Sequence, residues 1–391
     1  MFNLRLLRRL DWTLLLAVFA LCAYGLVMVY SATRSPEATG FATPNPIAVK
    51  QIFWMLVGLL AFAGALALDY ERLSHWHVPI YIATLLLLLA VLVVGQAPTG
   101  AASWIAIGGF RLQPSELAKI AVILSLATFL SHRINAIQRL RVVLLSLLVP
   151  GAPVILVLLQ PDFGTALVII AIWFGALYVV GVKGKHLAGV LCLGLILFVG
   201  MWNLDRISSR SDRAGLLSQI ASKVALKDYQ KRRLTIFLNP QADPLGAGYH
   251  IIQSRVAIGS GKLFGRGLFR GTQSRLRFIP ERHTDFIFSV VGEELGIVGA
   301  TTMVFLYLFV FWRGWRIAIR ARDPLGMLLA AGAISMLTFH AVVNIGMSVN
   351  IMPITGLPLP FVSYGGSNLL TSFMAFGLLQ NVHMRREKII F

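Results

Sequence analysis

The sequence predicts an all-α integral membrane protein with about ten transmembrane helices and a large extracytoplasmic loop. Three observations carry that expectation. Of 391 residues, 57% are hydrophobic and only 13% are charged, too little charge to cover a soluble domain of this size. Apolar runs recur at the length of about 20 residues that a helix needs to cross a hydrocarbon core about 30 Å thick. The basic residues behind the net charge of +19 lie between those runs, concentrated in alternate connections as the positive-inside rule describes. Backbone amides cannot stay unsatisfied in lipid, so each run is read as a helix.

Taken in order, the first run, 12–31, is too long for a signal-peptide core and is kept as a span; Arg5, Arg8 and Arg9 precede it. Runs 52–69 and 76–94 flank Arg72, and runs 116–132 and 142–160 flank Arg133, Arg139 and Arg141. Pro150, Gly151 and Pro153 predict a kink in the fifth run. Runs 164–182 and 187–203 flank Lys183 and Lys185. Runs 286–312 and 327–349 flank Arg313, Arg316, Arg320 and Arg322, and the last, 366–384, precedes Arg385, Arg386 and Lys388. The connection 350–365 has no charge. An even number of spans puts both termini on the cytoplasmic side. The chain reads as one membrane domain over 1–391.

The stretch 204–285 is basic yet falls on the outer side, which long loops tolerate. Arg206, Arg210, Arg213, Lys223, Lys227, Lys231, Arg232 and Arg233 read as a basic amphipathic helix on the membrane surface. The remainder, with Gly246, Gly248, Gly259, Gly261, Gly265, Gly267 and Gly271, reads as folded turns. The positive charge is expected to meet anionic membrane lipids. No nucleic-acid-binding module accompanies it, so nucleic acid is not an expected partner. Cys22 and Cys192 lie in apolar runs and read as packing residues. Gly259-Ser260-Gly261-Lys262 is not a phosphate-binding loop, because Val256 and Leu263 stand where that motif needs Gly and Ser or Thr.

Ionisable residues near apolar runs are functional candidates by default. Asp285 closes Pro280-Glu281-Arg282-His283-Thr284-Asp285 at the mouth of a span. Partial desolvation would raise its pKa while Arg282 and His283 would oppose the rise, which suits a general base; the plain structural role is an N-cap. Glu293 and Glu294 cannot share one helical face, so at least one should find a cation or keep its proton. Glu116 and Lys119, three apart, share a face and form an ion pair that is structural, functional or both. Trp104 reads as an interfacial anchor or as a stacking platform for a sugar ring. Asp162, in Gln160-Pro161-Asp162-Phe163-Gly164-Thr165, is a helix cap or a neighbour of Asp285 that helps hold a metal or a pyrophosphate.

Ser103-Trp104-Ile105, Gln113-Pro114-Ser115-Glu116, Gln160 to Thr165, Pro280 to Phe288, Gly292-Glu293-Glu294-Leu295-Gly296 and Gly356 to Ser367 occur in this order across nearly the whole chain. Together they resemble the SEDS family of bacterial cell-wall proteins. Arg282 after Pro280-Glu281 and the Gly356-Leu357-Pro358-Leu359-Pro360 stretch are more like its elongation branch. The resemblance implies an inner-membrane peptidoglycan glycosyltransferase that polymerises lipid II and releases undecaprenyl pyrophosphate on the extracytoplasmic side. It implies a class B penicillin-binding protein as crosslinking partner. The family's essential Asp matches Asp285, and Trp104, Glu116, Lys119 and Asp162 fall in its functionally sensitive set. Arg282, His283, Gln253, Ser254 and Ser363 join them as substrate-binding candidates. A divalent cation, Mg²⁺ or Mn²⁺, is a candidate helper for the departing diphosphate. The rival readings are a lipid II flippase, which would use Glu116, Lys119, Glu293, Glu294 and Asn344 as a polar path, and a non-catalytic scaffold that would tolerate changes at Asp285.

Overall fold

The fold is a bundle of apolar helices, seen in a computed structural model that describes residues 8–34, 45–95, 103–107, 110–208, 228–244, 246–276 and 278–386. Each expected span meets a helix: α1 Trp12–Thr33, α2 Pro46–Ala67, α4 His77–Val94 after the short α3 Tyr70–His75, and α5 Pro114–Ser131. The fifth is split into α6 Leu140–Ser146 and α7 Leu148–Leu159, followed by α8 Phe163–Val179 and α9 Gly184–Ser208. Among the described residues, three helices lie within the expected loop: α10 Asp228–Leu238, α11 Ala247–Ser260 and α12 Thr272–Arg275. The last three spans are α13 Ile287–Ile319, α14 Pro324–Ser348 and α15 Gly366–Met384.

Local chemistry sets the helix starts. Asn45-Pro46 and Asp323-Pro324 each put a capping side chain before a proline, with Asn45 accepting from Ile47 and Ala48 N–H and Asp323 from Gly326 N–H. Asp11 caps α1 by accepting from Leu14 N–H. The predicted kink falls at Leu147, ahead of Pro150. Pro153 lies inside α7 and strips Val149 of its helical donor; the Tyr81 hydroxyl donates to that carbonyl at 2.6 Å instead.

Helices α5 and α14 form the centre and are largely buried, whereas α2 is mostly exposed. Outer helices turn Leu60, Val93, Leu148 and Ile196 outward, as lipid contact requires. Among the described residues, six helices, with α6 and α7 taken together as one, are long and apolar enough to cross a membrane, and three shorter ones are apolar. Helix α15 is more polar because it buries Ser367, Asn368, Thr371, Ser372, Gln380 and Asn381 against protein.

Alternation of the helices gives the bundle two unlike ends. Arg313, Arg322 and Arg385 gather at one end, in ion pairs with Asp11, Glu71 and Asp69. Asp162, Asp285, the connection 349–365 and residues 103–107 and 110–113 gather at the other. There a two-stranded antiparallel hairpin, β1 Ile105–Ile107 with β2 Phe110–Leu112, stands where a helix-only reading placed no strand. Gly108-Gly109 between two β-branched and aromatic triplets was its sequence signal.

Residues 209–227 lie outside the described residues, so most of the expected surface helix is not seen. The Gly-rich half of the loop is only partly turns: Gly248 and Gly259 lie inside α11, while the turns over 261–271 pack into the bundle. Helix α13 breaks at Gly296, whose φ is +63°. Around the break, Arg266 and Gly267 N–H donate to the carbonyls of Glu293 and Glu294, both at 3.0 Å, and Ile297 N–H donates to Lys262 O at 2.9 Å. A Cβ at Gly265 would come within 2.1 Å of Glu294 O, so glycine is what permits the approach. Leu263, Phe264, Leu276 and Phe278 stay exposed on these turns, which fits a loop partly seated in lipid.

Candidate active site

Asp285 sits in the last turn before α13, and the sequence there builds a tight, over-determined corner. Glu281 takes a left-handed conformation, φ +48°, unusual for a residue with a Cβ. Its carbonyl accepts from the amides of Thr284, Asp285 and Phe286 at 3.1–3.2 Å. The connection 355–364 clasps this corner. Ser363 Oγ donates to Thr284 O at 2.5 Å and accepts from Leu359 N–H at 2.9 Å. Tyr364 N–H donates to His283 O at 2.9 Å, and their rings meet 5.6 Å apart. Asn344, on α14, donates to both Asp285 O and Leu357 O, at 2.8 and 2.7 Å. These bonds hold the backbone of the corner and of the connection that clasps it, and none of them uses the Asp285 carboxylate.

The N-cap role does not hold for Asp285: the capping position of α13 is Phe286, and no side chain caps it. The half-buried carboxylate faces Gly356, where an added Cβ would come 3.5 Å from Oδ2. Burial pushes the Asp285 carboxyl up to about 7; nearby Glu281 adds to the rise, while Arg233 and a hydrogen bond with Thr284 oppose it. Arg233 is anchored at the site by donating to Thr355 O at 3.3 Å. Sequence reading saw Arg233 only as part of a basic loop. Burial also holds His283 below the ordinary histidine value. Arg282 bonds outward, donating from Nε to Ala32 O at the end of α1.

Asp162 caps α8, accepting from Thr165 N–H at 3.0 Å, and its other oxygen accepts from Gln113 Nε2 at 3.0 Å and Ser115 Oγ at 3.3 Å. It thus ties two of the recurrent sequence motifs together. Helix α8 also abuts the clasp, since a Cβ at Gly164 would lie 2.8 Å from Thr355 O. Asp162 and Asp285 therefore approach the same connection from two sides. The hairpin with Trp104 joins them: Ser103 Oγ donates to Gln160 O at 3.2 Å, and Gln113 N–H donates to Ser367 Oγ at 3.1 Å. Arg111 on β2 is within electrostatic reach of Tyr364.

One layer deeper, Lys119 donates to Glu116 at 2.6 Å in a pair with almost no exposure. Glu116 also accepts from Thr371 Oγ1 at 2.7 Å. Lys119 Nζ lies 2.9 Å from His340 Nε2, and His340 Nδ1 lies 3.2 Å from Pro358 O. A carbonyl only accepts, so Nδ1 carries the proton and Nε2 accepts from the ammonium. The pair thereby reaches the clasp through His340, which sequence reading missed. Its signal was the stripe His340, Asn344, Ser348 at every fourth position of an apolar helix.

Ser254 is fully buried; its Oγ lies 2.6 Å from Ser289 Oγ and donates to Ser348 O at 2.6 Å, locking α11 to α13 and α14. Gln253 is its half-buried neighbour on α11. Of the two expectations for Glu293 and Glu294, a cation or a retained proton, the structure gives no cation: backbone amides and hydroxyls take that place. Glu293 accepts from Gln273 and Ser274 N–H, and Glu294 from Ser31 Oγ and Phe269 N–H. Among the described residues no group of three or more His, Cys, Asp or Glu is placed to hold a metal ion. Asp285 and Asp162 alone do not make such a site.

Comparison with known proteins bears out the resemblance. The chain is 38% identical to the peptidoglycan glycosyltransferase MrdB of Escherichia coli, across 97% of this chain and 95% of that one. It is 37% identical to a probable peptidoglycan glycosyltransferase FtsW of Geobacter metallireducens, across 98% and 97%. Among solved structures it matches a chain of a peptidoglycan synthase complex that coordinates polymerization and crosslinking, with TM-score 0.77 and 33% identity over 96% of this chain and 98% of that one. It also matches the rod shape determining protein RodA of Thermus thermophilus, with TM-score 0.68 and 31% identity over 97% and 98%. A family model described as a cell cycle protein, FtsW/RodA/SpoVE, covers residues 12–388, and the chain belongs to that family.

Proposed function

We propose that this protein is a peptidoglycan glycosyltransferase of cell-wall elongation that polymerises lipid II, with Asp285 as general base. The observation that carries the reading is a carboxylate at the mouth of a span, clasped through its backbone and not committed to capping its helix; burial there pushes its pKa up to about 7. Such a group is ionised often enough to accept a proton and basic enough to want it. Asp285 takes the proton of the acceptor sugar's 4-hydroxyl. The oxygen attacks the donor's anomeric carbon, and the bond from that carbon to the pyrophosphate breaks. The electron pair leaves with undecaprenyl pyrophosphate, whose charge Arg233 and the basic loop offset.

The end that carries Asp285 is assigned to the extracytoplasmic face, and the end whose short connections are rich in Arg and Lys, with both termini, to the cytoplasm, by the positive-inside rule, which counts short loops and not the long basic one. A class B penicillin-binding protein is the assigned partner, consistent with the match to a complex that couples polymerization to crosslinking. A transporter fits less well. Glu116 is committed to Lys119 and Thr371, and Glu293 and Glu294 to amides, so none is offered to a path across the bilayer. Purified protein with its partner and lipid II in detergent, where flipping has no meaning, is expected to yield glycan strands and undecaprenyl pyrophosphate. Absence of both products from intact, partnered protein refutes the enzyme.

The pH profile tests the environment of the base. Polymerisation should rise with pH through about 7, as Asp285 ionises. Arg233→Ala removes a cation that favours the ionised form, so the rising limb should move to higher pH. Glu281→Gln removes an anion that disfavours it, so the limb should move to lower pH. Shifts in the same direction, or none, would show that another group sets the profile.

A further inference from the structure

At the end of the bundle opposite Asp285 lies a cavity of about 40 Å³, lined by Asp11, Arg313, Arg316, Ile317, Arg320, His383 and Arg386. A water needs roughly 10–15 Å³, so this half-open cavity has room for a phosphoryl group. The lining holds four arginines and one carboxylate. That carboxylate is already taken: Asp11 accepts from Thr13 Oγ1 and Leu14 N–H with one oxygen, and from Arg313 Nε and Nη2, at 2.9 and 2.6 Å, with the other. Arg313, Arg316 and Arg320 stand three and four apart on α13, and all three line the cavity. Guanidinium forks match phosphate oxygens better than any other side chain.

The surroundings identify the source of the phosphate. Trp12 and Trp312 are 55% and 52% exposed at this end, and Arg316 lies 4.8 Å over the Trp312 ring. Exposed tryptophans at the ends of apolar helices mark the level of lipid headgroups. A phosphate held beside them has its acyl chains level with the exposed apolar faces of α1 and α13.

We propose that this cavity binds the phosphate of an anionic phospholipid in the leaflet at the basic end. The site stands apart from the proposed chemistry, so its test does not depend on turnover. Full-length protein is exchanged through detergent containing phosphatidylglycerol or phosphatidylcholine with identical acyl chains, and retained lipid is counted by native mass spectrometry. Wild type should keep phosphatidylglycerol in preference, and Arg316→Ala with Arg320→Ala should lose that preference by at least about tenfold. Arg139→Ala with Arg141→Ala, which removes equal charge from exposed positions elsewhere at the same end, should keep it. If the first pair does not fold, Arg320→Glu alone, at an exposed position, carries the same test. Equal retention by the cavity variant, or equal loss by the control, overturns the proposal. So does a cavity that takes inorganic phosphate while showing no preference between the two lipids, since that site would serve a soluble anion.

Discussion

Asp285→Asn protein is expected to lose about 10²- to 10⁴-fold of its glycan synthesis while unfolding at the same or a higher temperature. The two halves of this expectation have separate causes. Asparagine keeps the shape of the side chain but cannot accept a proton at neutral pH. The corner itself does not depend on the carboxylate: Asp285 N–H donates to Glu281 O, and Asp285 O accepts from Asn344. Burial favours the neutral carboxyl in the folded state, raising its pKa to about 7. The stability that goes with the protonated form is full below the ordinary carboxylate range and is lost as pH rises through about 7. At pH 8 the wild-type fold therefore carries an ionised, desolvated group that asparagine removes. Thermal unfolding in detergent at pH 8, paired with glycan synthesis from lipid II, reads both halves. Wild-type synthesis by the variant refutes the base assignment. Lost synthesis with a lowered unfolding temperature would assign the carboxylate to the fold instead.

What the sequence could reveal followed from how strongly physics constrains each feature. The bilayer demands about 20 apolar residues per crossing, so the spans were readable wherever lipid is the neighbour. Helix α15 was readable although its buried Asn368, Thr371 and Gln380 lower its hydropathy. The break at Gly296 was not, because a lone glycine in an apolar run signals only a weaker helix; what makes it a break is Gly265, some thirty positions earlier, presenting its backbone. The carboxylates Asp285 and Asp162 were named from motif and position, yet only the fold brings α8 and α13 to the same connection. Arg233 and His340 were overlooked for the same reason. One looked like an ordinary loop cation and the other like a lone histidine in a span, and each gains its meaning from a carbonyl of residues 355–358.

The buried pair beneath the site yields the other large effect. Lys119→Met is expected to destabilise the protein by about 3–5 kcal/mol, because it leaves Glu116 charged and buried with one hydroxyl donor in place of an ammonium. The double variant Glu116→Gln, Lys119→Met should recover much of that loss, since a neutral amide can still accept from Thr371 and no charge is stranded. Activity should separate from stability. Lys119 also donates to His340, which donates to Pro358 O, so the double variant loses a strut of the connection that clasps Asp285 even where the fold is rescued. A repaired unfolding temperature with glycan synthesis still well below wild type is therefore the expected outcome. It would place Glu116 and Lys119 as positioning residues that act through His340. Full recovery of synthesis along with stability would reduce the pair to a structural bond, and an unchanged unfolding temperature in Lys119→Met alone would mean that Glu116 is not ionised in the bundle at all.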